Sequence, residues 1–166
     1  VLELAGYPAP PAEPLQPMPP FGVHEFADMT SGSIDSVIVF YRSHLVAGDI
    51  APIQELARQL ARRGINSRGL YVNSLKDADA DLFVRAKLAE WKPTIVLTAT
   101  GFSARTGDIA ASPLDGADAP VLQLILSGTM REAWSDSSRG LSATDLAMQV
   151  ALPEVDGRLS TTAISF

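Results

Sequence analysis

The side chains of this sequence that could bind or move charge follow short apolar runs. Arg42, Ser43 and His44 follow Val37-Ile38-Val39-Phe40-Tyr41, and Thr100-Gly101-Phe102-Ser103-Ala104-Arg105 follows Thr94-Ile95-Val96-Leu97-Thr98. Ser127-Gly128-Thr129 and then Arg131-Glu132-Ala133-Trp134 follow Val121-Leu122-Gln123-Leu124-Ile125-Leu126, while Pro153-Glu154-Val155-Asp156-Gly157-Arg158 follows Met148-Gln149-Val150-Ala151-Leu152. If those runs are parallel strands, the polar groups share the edge where open sheets take ligands.

Each group also has a plain structural reading. Arg42 and His44 are either ligand contacts at a strand exit or a salt bridge and a helix-facing imidazole. Glu154 serves as a base at neutral pH only if burial raises its carboxyl above the ordinary value of about 4.3. Otherwise it anchors the turn signalled by Asp156-Gly157. Asp49 is expected to cap the following helix and Trp134 to sit in the core. Gly101 and Gly128 need do no more than relieve backbone strain.

Several chemistries are excluded. No phosphate loop of the G-x-x-x-x-G-K-[ST] type, no G-x-S-x-G elbow and no H-E-x-x-H occurs, and no G-x-G-x-x-G is placed after a strand. The absence of cysteine removes thiolate metal sites and a cysteine nucleophile, and two histidines, His24 and His44, make a preformed metal site unexpected. Thirteen Lys and Arg against nineteen Asp and Glu give a formal charge of -6, the wrong sign for tracking nucleic-acid phosphates.

The elements that must position these groups alternate. Residues 1–35 hold seven of the twelve prolines and read as a Pro-rich linker or extended segment. From residue 36 onward, strand 37–41 is followed by an amphipathic helix with Ile53, Leu56, Ala57 and Leu60 on one side, stopping at Gly64. Strand 69–72, a helix from Asp77 to Trp91 and strand 94–98 repeat the cycle, and 121–126 and 148–152 read as a fourth and a fifth strand. The expected fold of 36–166 is α/β: an open parallel sheet with helices on both faces, a flavodoxin-like three-layer sandwich.

At 166 residues, 46% hydrophobic and 19% charged, the chain has the core of one domain. No apolar run approaches the roughly 20 residues that span a bilayer and no secretory pattern opens the sequence, so a cytoplasmic location is expected. The start at Val1 and the apolar end Ala163-Ile164-Ser165-Phe166 read as cuts within a longer protein.

More specific strings resemble the cobaltochelatase large subunit, in the CobN and magnesium chelatase H-subunit family. They are Val39-Phe40-Tyr41-Arg42-Ser43-His44-Leu45 with Ala47-Gly48-Asp49, Ser74-Leu75-Lys76-Asp77, Ala99-Thr100-Gly101-Phe102-Ser103 and Ser112-Pro113-Leu114-Asp115. Arg131-Glu132-Ala133-Trp134 and the stretch from Ser142 to Arg158 complete the likeness, which runs from about Ser36 to Phe166. Arg-Ser-His followed by Gly-Asp, and Ala-Leu-Pro-Glu ahead of Asp-Gly, are shared with the magnesium enzyme.

The resemblance implies a fragment of a much larger corrin-binding subunit that inserts Co2+ into hydrogenobyrinic acid a,c-diamide in aerobic cobalamin synthesis, with ATP-Mg hydrolysed by two smaller AAA+-type partner subunits. Co2+ is then a substrate, the fragment holds no cofactor of its own and is inactive alone, and its partners are the corrin, those two subunits and the remaining domains of the large subunit. It further implies that Glu154 and Glu132 accept ring-nitrogen protons or relay the ion. Arg42, Arg105 and His44 would meet the carboxylates of the corrin rim, with Ser127 beside them. Three other readings stay open: a magnesium chelatase H subunit acting on protoporphyrin IX, a non-catalytic scaffold domain, and a generic nucleotide or flavin module.

Overall fold

The computed structural model describes residues 17–27, 32–105, 111–136, 138 and 140–165. Six strands form one sheet: β1 (Phe21–His24), β2 (Ser36–Tyr41), β3 (Ser67–Val72), β4 (Ile95–Thr98), β5 (Val121–Leu126) and β6 (Leu159–Ser165). Their spatial order is β1-β3-β2-β4-β5-β6, and every pairing is parallel except β1 with β3. Without β1, the parallel strands follow the 2-1-3-4-5 order of the flavodoxin-like fold. The expected parallel sheet is therefore a mixed one.

The antiparallel strand lies inside the segment read as linker. The last proline before it is Pro20, so Phe21-Gly22-Val23-His24 is free to donate to a ladder, and it does so at the sheet edge. Most of the other prolines of 1–35 lie outside the described residues.

Side-chain alternation along the strands divides the core in two. Val37, Val39, Leu70, Val72 and Val96 face one side, where they meet Ala80, Val84 and Leu88 of α3 (Ala78–Trp91). Ile38, Phe40, Tyr71, Leu97 and Leu124 face the other, against Ile53 and Ala57 of α2 (Ala51–Ala61). Helices thus cover both faces, and each fully buried aliphatic side chain contributes about 1.5–3 kcal/mol.

Local chemistry sets the helix ends. Asp77 caps α3, its Oδ1 accepting from the N–H groups of Asp79 (3.1 Å) and Ala80 (3.0 Å), and Lys92 closes it in a left-handed conformation ahead of Pro93. Helix α2 begins differently from expectation. Its cap position is Ile50, with no side-chain hydrogen bond, and Asp49 instead offers its carbonyl to the His44 ring.

The largest departure is at 148–152, expected as a strand. A continuous helical segment runs there: α5 (Ala143–Leu146), a π-wound turn Ala147–Ala151 and α6 (Leu152–Val155). Ala147, Met148, Gln149 and Leu152 favour helix, Val150 alone is β-branched, and a short apolar run does not by itself distinguish the two periods. The last strand is β6 instead.

Candidate functional site

The chain crosses from one side of β2 to the other between β3 and β4, so the switch point of this sheet lies at the carboxyl ends of β2 and β4. A cleft of about 210 Å³ opens there, lined by Tyr41, Ser74, Leu75, Lys76 and Thr100 to Ala104. Its floor is the loop that leaves β4.

That loop is held from beneath by buried groups. Arg158 Nη1 donates to the Thr100 carbonyl and to Gln123 Oε1, both at 2.9 Å, and Tyr41 Oη donates to the Gly101 carbonyl at 2.9 Å. The Asp156 carboxylate accepts from Ser103 Oγ, from the Ala104 N–H (2.6 Å) and from Arg158 Nη2 (2.9 Å). Burial pushes the Tyr41 hydroxyl up, outweighing the opposing pull of Arg158, so Tyr41 stays a donor. Burial likewise lowers Arg158 below the ordinary guanidinium value, against the nearby Asp156 charge.

Phe102 is held by the helical segment. A π-wound carbonyl at Met148 would take the N–H of residue 153, but Pro153 has none, and the Leu152 N–H goes to Ala147. The Phe102 N–H fills that vacancy at 3.0 Å from the Met148 oxygen. Gly101 keeps the approach open, since a Cβ there would lie 3.1 Å from the same oxygen.

A second polar centre lies under the loop after β5. Asp145, 5% exposed, accepts from the Gly128 N–H (3.1 Å), Ser127 Oγ (3.1 Å), Ser142 Oγ (2.9 Å) and Gln149 Nε2 (3.2 Å). Burial alone would raise its carboxyl, but these four donors hold it below the ordinary carboxylate value.

The residues singled out in the sequence are distributed around this edge. Arg42 opens α1 (Arg42–Val46) and donates through Nη2 to the Met18 carbonyl at 2.9 Å, a hydrogen bond in place of a salt bridge. His44 has Nδ1 3.1 Å from the Asp49 carbonyl and its ring edge-on to Phe40. His44 and Ser127 share a smaller cleft of about 140 Å³, with Ile53 and Leu126. Arg105 donates to the Asp156 carbonyl at 3.1 Å and joins the buried pair.

The two candidate carboxylates are exposed and stand on helices. Glu132 is on α4 (Arg131–Ser135), and Glu154 is on α6, where it accepts from Ser160 Oγ at 3.1 Å. Glu154 therefore does not follow a strand, and the burial on which its reading as a base depended is not supplied by the described residues. Trp134, expected in the core, is 36% exposed. No group of three or more His, Asp or Glu among the described residues is placed to hold a metal ion. No described helix is long and apolar enough to cross a membrane.

Asp145, Asp156 and Arg158 were not singled out as organisers. For Asp145 a signal existed: Ser142-x-x-Asp145 is the capping-box pattern, and Ser142 Oγ does accept from the Asp145 N–H at 3.0 Å. Asp156 looked like half of an Asp-Gly turn, and the loop residues it holds, Ser103 and Ala104, are about fifty residues away in the chain.

Fold and cleft together define a flavodoxin-like α/β domain with a braced cleft at its switch point. The chain belongs to the CobN/magnesium chelatase family, whose model matches residues 23–166. It is 42% identical over 131 residues to the aerobic cobaltochelatase subunit CobN of Sinorhizobium sp, covering 78% of this chain and 10% of that protein. It is 36% identical over 143 residues to the subunit of the same name from Pseudomonas aeruginosa, covering 86% of this chain and 12% of that protein. Among solved structures, the catalytic subunit of cobaltochelatase from Mycobacterium tuberculosis matches with a TM-score of 0.69 at 26% identity, over 91% of this chain and 14% of that one. The chain thus spans about a tenth of the curated relatives it matches.

Proposed function

We propose that this chain is a domain of the large, corrin-holding subunit of an ATP-dependent cobaltochelatase that inserts Co2+ into hydrogenobyrinic acid a,c-diamide during aerobic cobalamin synthesis. The observation that carries the proposal is the 42% identity to a CobN subunit across 78% of the chain. In this reading ATP hydrolysis belongs to two smaller AAA+-type partner subunits, as the resemblance to the cobaltochelatase large subunit implies.

In this reading the strand-end edge faces the corrin. Arg42 and Arg105 offer guanidinium donors to rim carboxylates, and His44 and Ser127, which share a separate small cleft, offer further polar contacts. As cobalt sheds water and enters the ring, the corrin gives up its one inner N–H proton, and a nearby carboxylate accepts it. Glu154 and Glu132 are assigned that part: both are exposed, and the burial that makes a carboxylate a base would come from the ring and the rest of the subunit closing over them.

The family description also names magnesium chelatase, which supports a second reading as an H subunit placing Mg2+ into protoporphyrin IX. The test is to reconstitute the full-length subunit with its ATPase partners and assay both metals with both rings. Cobalt insertion into the corrin alone is expected. Magnesium insertion into protoporphyrin alone would transfer the chain to the second reading. Unchanged corrin affinity and turnover in Glu154→Ala, Glu132→Ala and Arg42→Gln would reduce the domain to a scaffold.

A further inference from the structure

Phe102 combines three properties that rarely coincide. Its backbone is left-handed (φ 62°), a conformation unfavourable for a bulky side chain, and the residue is 50% exposed although it is large and apolar. The stretch from Thr100 to Ala104 is also firmly tied. The Thr100 and Gly101 carbonyls, the Phe102 and Ala104 N–H groups and the Ser103 hydroxyl are all engaged by Arg158, Tyr41, Met148 and Asp156. Strain maintained by so many bonds, with the ring turned into a cleft instead of the core, marks a preorganised contact surface.

Across the same cleft stands Lys76. Its side chain is exposed and has no hydrogen-bond or ion-pair partner among the described residues, while its backbone N–H is fixed by Ser74 Oγ at 3.1 Å. The Ser74 hydroxyl retains its own proton to donate. The cleft therefore presents an apolar ring face, an ammonium and a hydroxyl. At about 210 Å³ it is smaller than the roughly 300–1,000 Å³ of pockets that enclose a whole ligand.

We infer that this cleft is a subsite for one peripheral carboxylate arm of a flat ring ligand, with Phe102 against the edge of the ring and Lys76 and Ser74 on the carboxylate. The inference rests on the chelatase reading only for the identity of the ring. The cleft takes an arm and not the macrocycle, so it orients the ring relative to the rest of the subunit and acts as a positioning site without touching the metal.

Lys76→Met and Phe102→Gly test it, by titration of the full-length subunit with hydrogenobyrinic acid a,c-diamide followed by absorbance. Lys76→Met is expected to weaken binding about three- to tenfold and to reduce its salt dependence. Phe102→Gly is expected to weaken binding about tenfold while its melting temperature stays level or rises, because glycine accepts the left-handed backbone. Corrin binding by the wild type with no loss in either variant would overturn the inference and leave the chelatase reading standing. If the wild type does not bind the corrin, the chelatase reading fails at that step, and para-fluorobenzoate followed by fluorine NMR decides the cleft separately. Line broadening by the wild type that is lost in both variants sustains the subsite, and no broadening overturns it.

Discussion

Asp156 and Arg158 are two residues apart in sequence, both almost wholly buried, and joined by a 2.9 Å bond between Oδ2 and Nη2. The pair faces two ways: the carboxylate grips the loop after β4, and the guanidinium reaches Thr100 and Gln123. Asp156→Ala would leave a cation in the interior without its partner and release the Ala104 N–H. A loss of about 3–5 kcal/mol is expected in urea unfolding. Asp156→Ala combined with Arg158→Met should cost clearly less than the sum of the two single changes, since the double variant strands no charge.

Asp145 predicts a pH dependence. Its folded carboxyl is held below the ordinary value, so the stability it adds is complete above the unfolded pKa of about 3.9 and is lost as pH falls through the lower folded value. Asp145→Asn should therefore be less stable than the wild type near neutral pH by about 1–3 kcal/mol. The gap should close in acid, and thermal melts across the acidic range measure it.

Gln149 does the work of a neighbouring strand. Its Oε1 accepts from the Leu126 N–H at 2.7 Å and its Nε2 donates to the Leu126 carbonyl, pairing both backbone groups at the end of β5. Gln149→Leu leaves both groups unpaired and should cost about 2–4 kcal/mol, as two unmade bonds near the interior. Gln149→Glu keeps the acceptor, loses the donor and adds a charge beside Asp145, so it should be no milder at neutral pH.

Gly69 sits at the centre of β3, opposite His24 on one side and Ile38 on the other. A Cβ there would lie 2.9 Å from His24 Cβ, 3.0 Å from the His24 oxygen and 3.1 Å from Phe40 Cε1. Gly69→Ala should destabilise by about 1–3 kcal/mol through overpacking. Hydrogen exchange should show β1 opening more readily than β2, because the clash falls on the edge pairing.

Four of the strands and both long helices were legible because their signals are local. The runs at 37–41, 69–72, 94–98 and 121–126 are short and apolar, and α3 announces itself with Asp77 and ends before Pro93. Strand β1 was hidden by its proline neighbours. Strand β6 was hidden by composition, since Leu159-Ser160-Thr161-Thr162-Ala163 is mostly exposed and polar at the sheet edge. The helical segment 143–155 was taken in part for a strand because the run 148–152 is too short for its apolar pattern to distinguish the two periods. The buried carboxylates escaped notice for a related reason. Nothing near Asp156 in the chain shows that Ser103 and Ala104 will come to it.

The π-wound turn at Ala147–Ala151 has a consequence for chain length. Such a turn holds one residue more than an α-helix would, so deleting one residue would let the segment close as ordinary helix. Because the wide turn absorbs the extra residue, everything beyond it would keep its place around the axis: Leu152 would still answer Ala147, Pro153 would still leave the Met148 carbonyl to Phe102, and Asp156 would still face the loop it holds. A residue removed from the α-wound part of the segment would instead turn everything beyond it by about 100°. The turn is thus a slack coil in a measured rope, and removal of Val150 or Ala151 should be forgiven more readily than removal of a residue from Ala143 to Leu146.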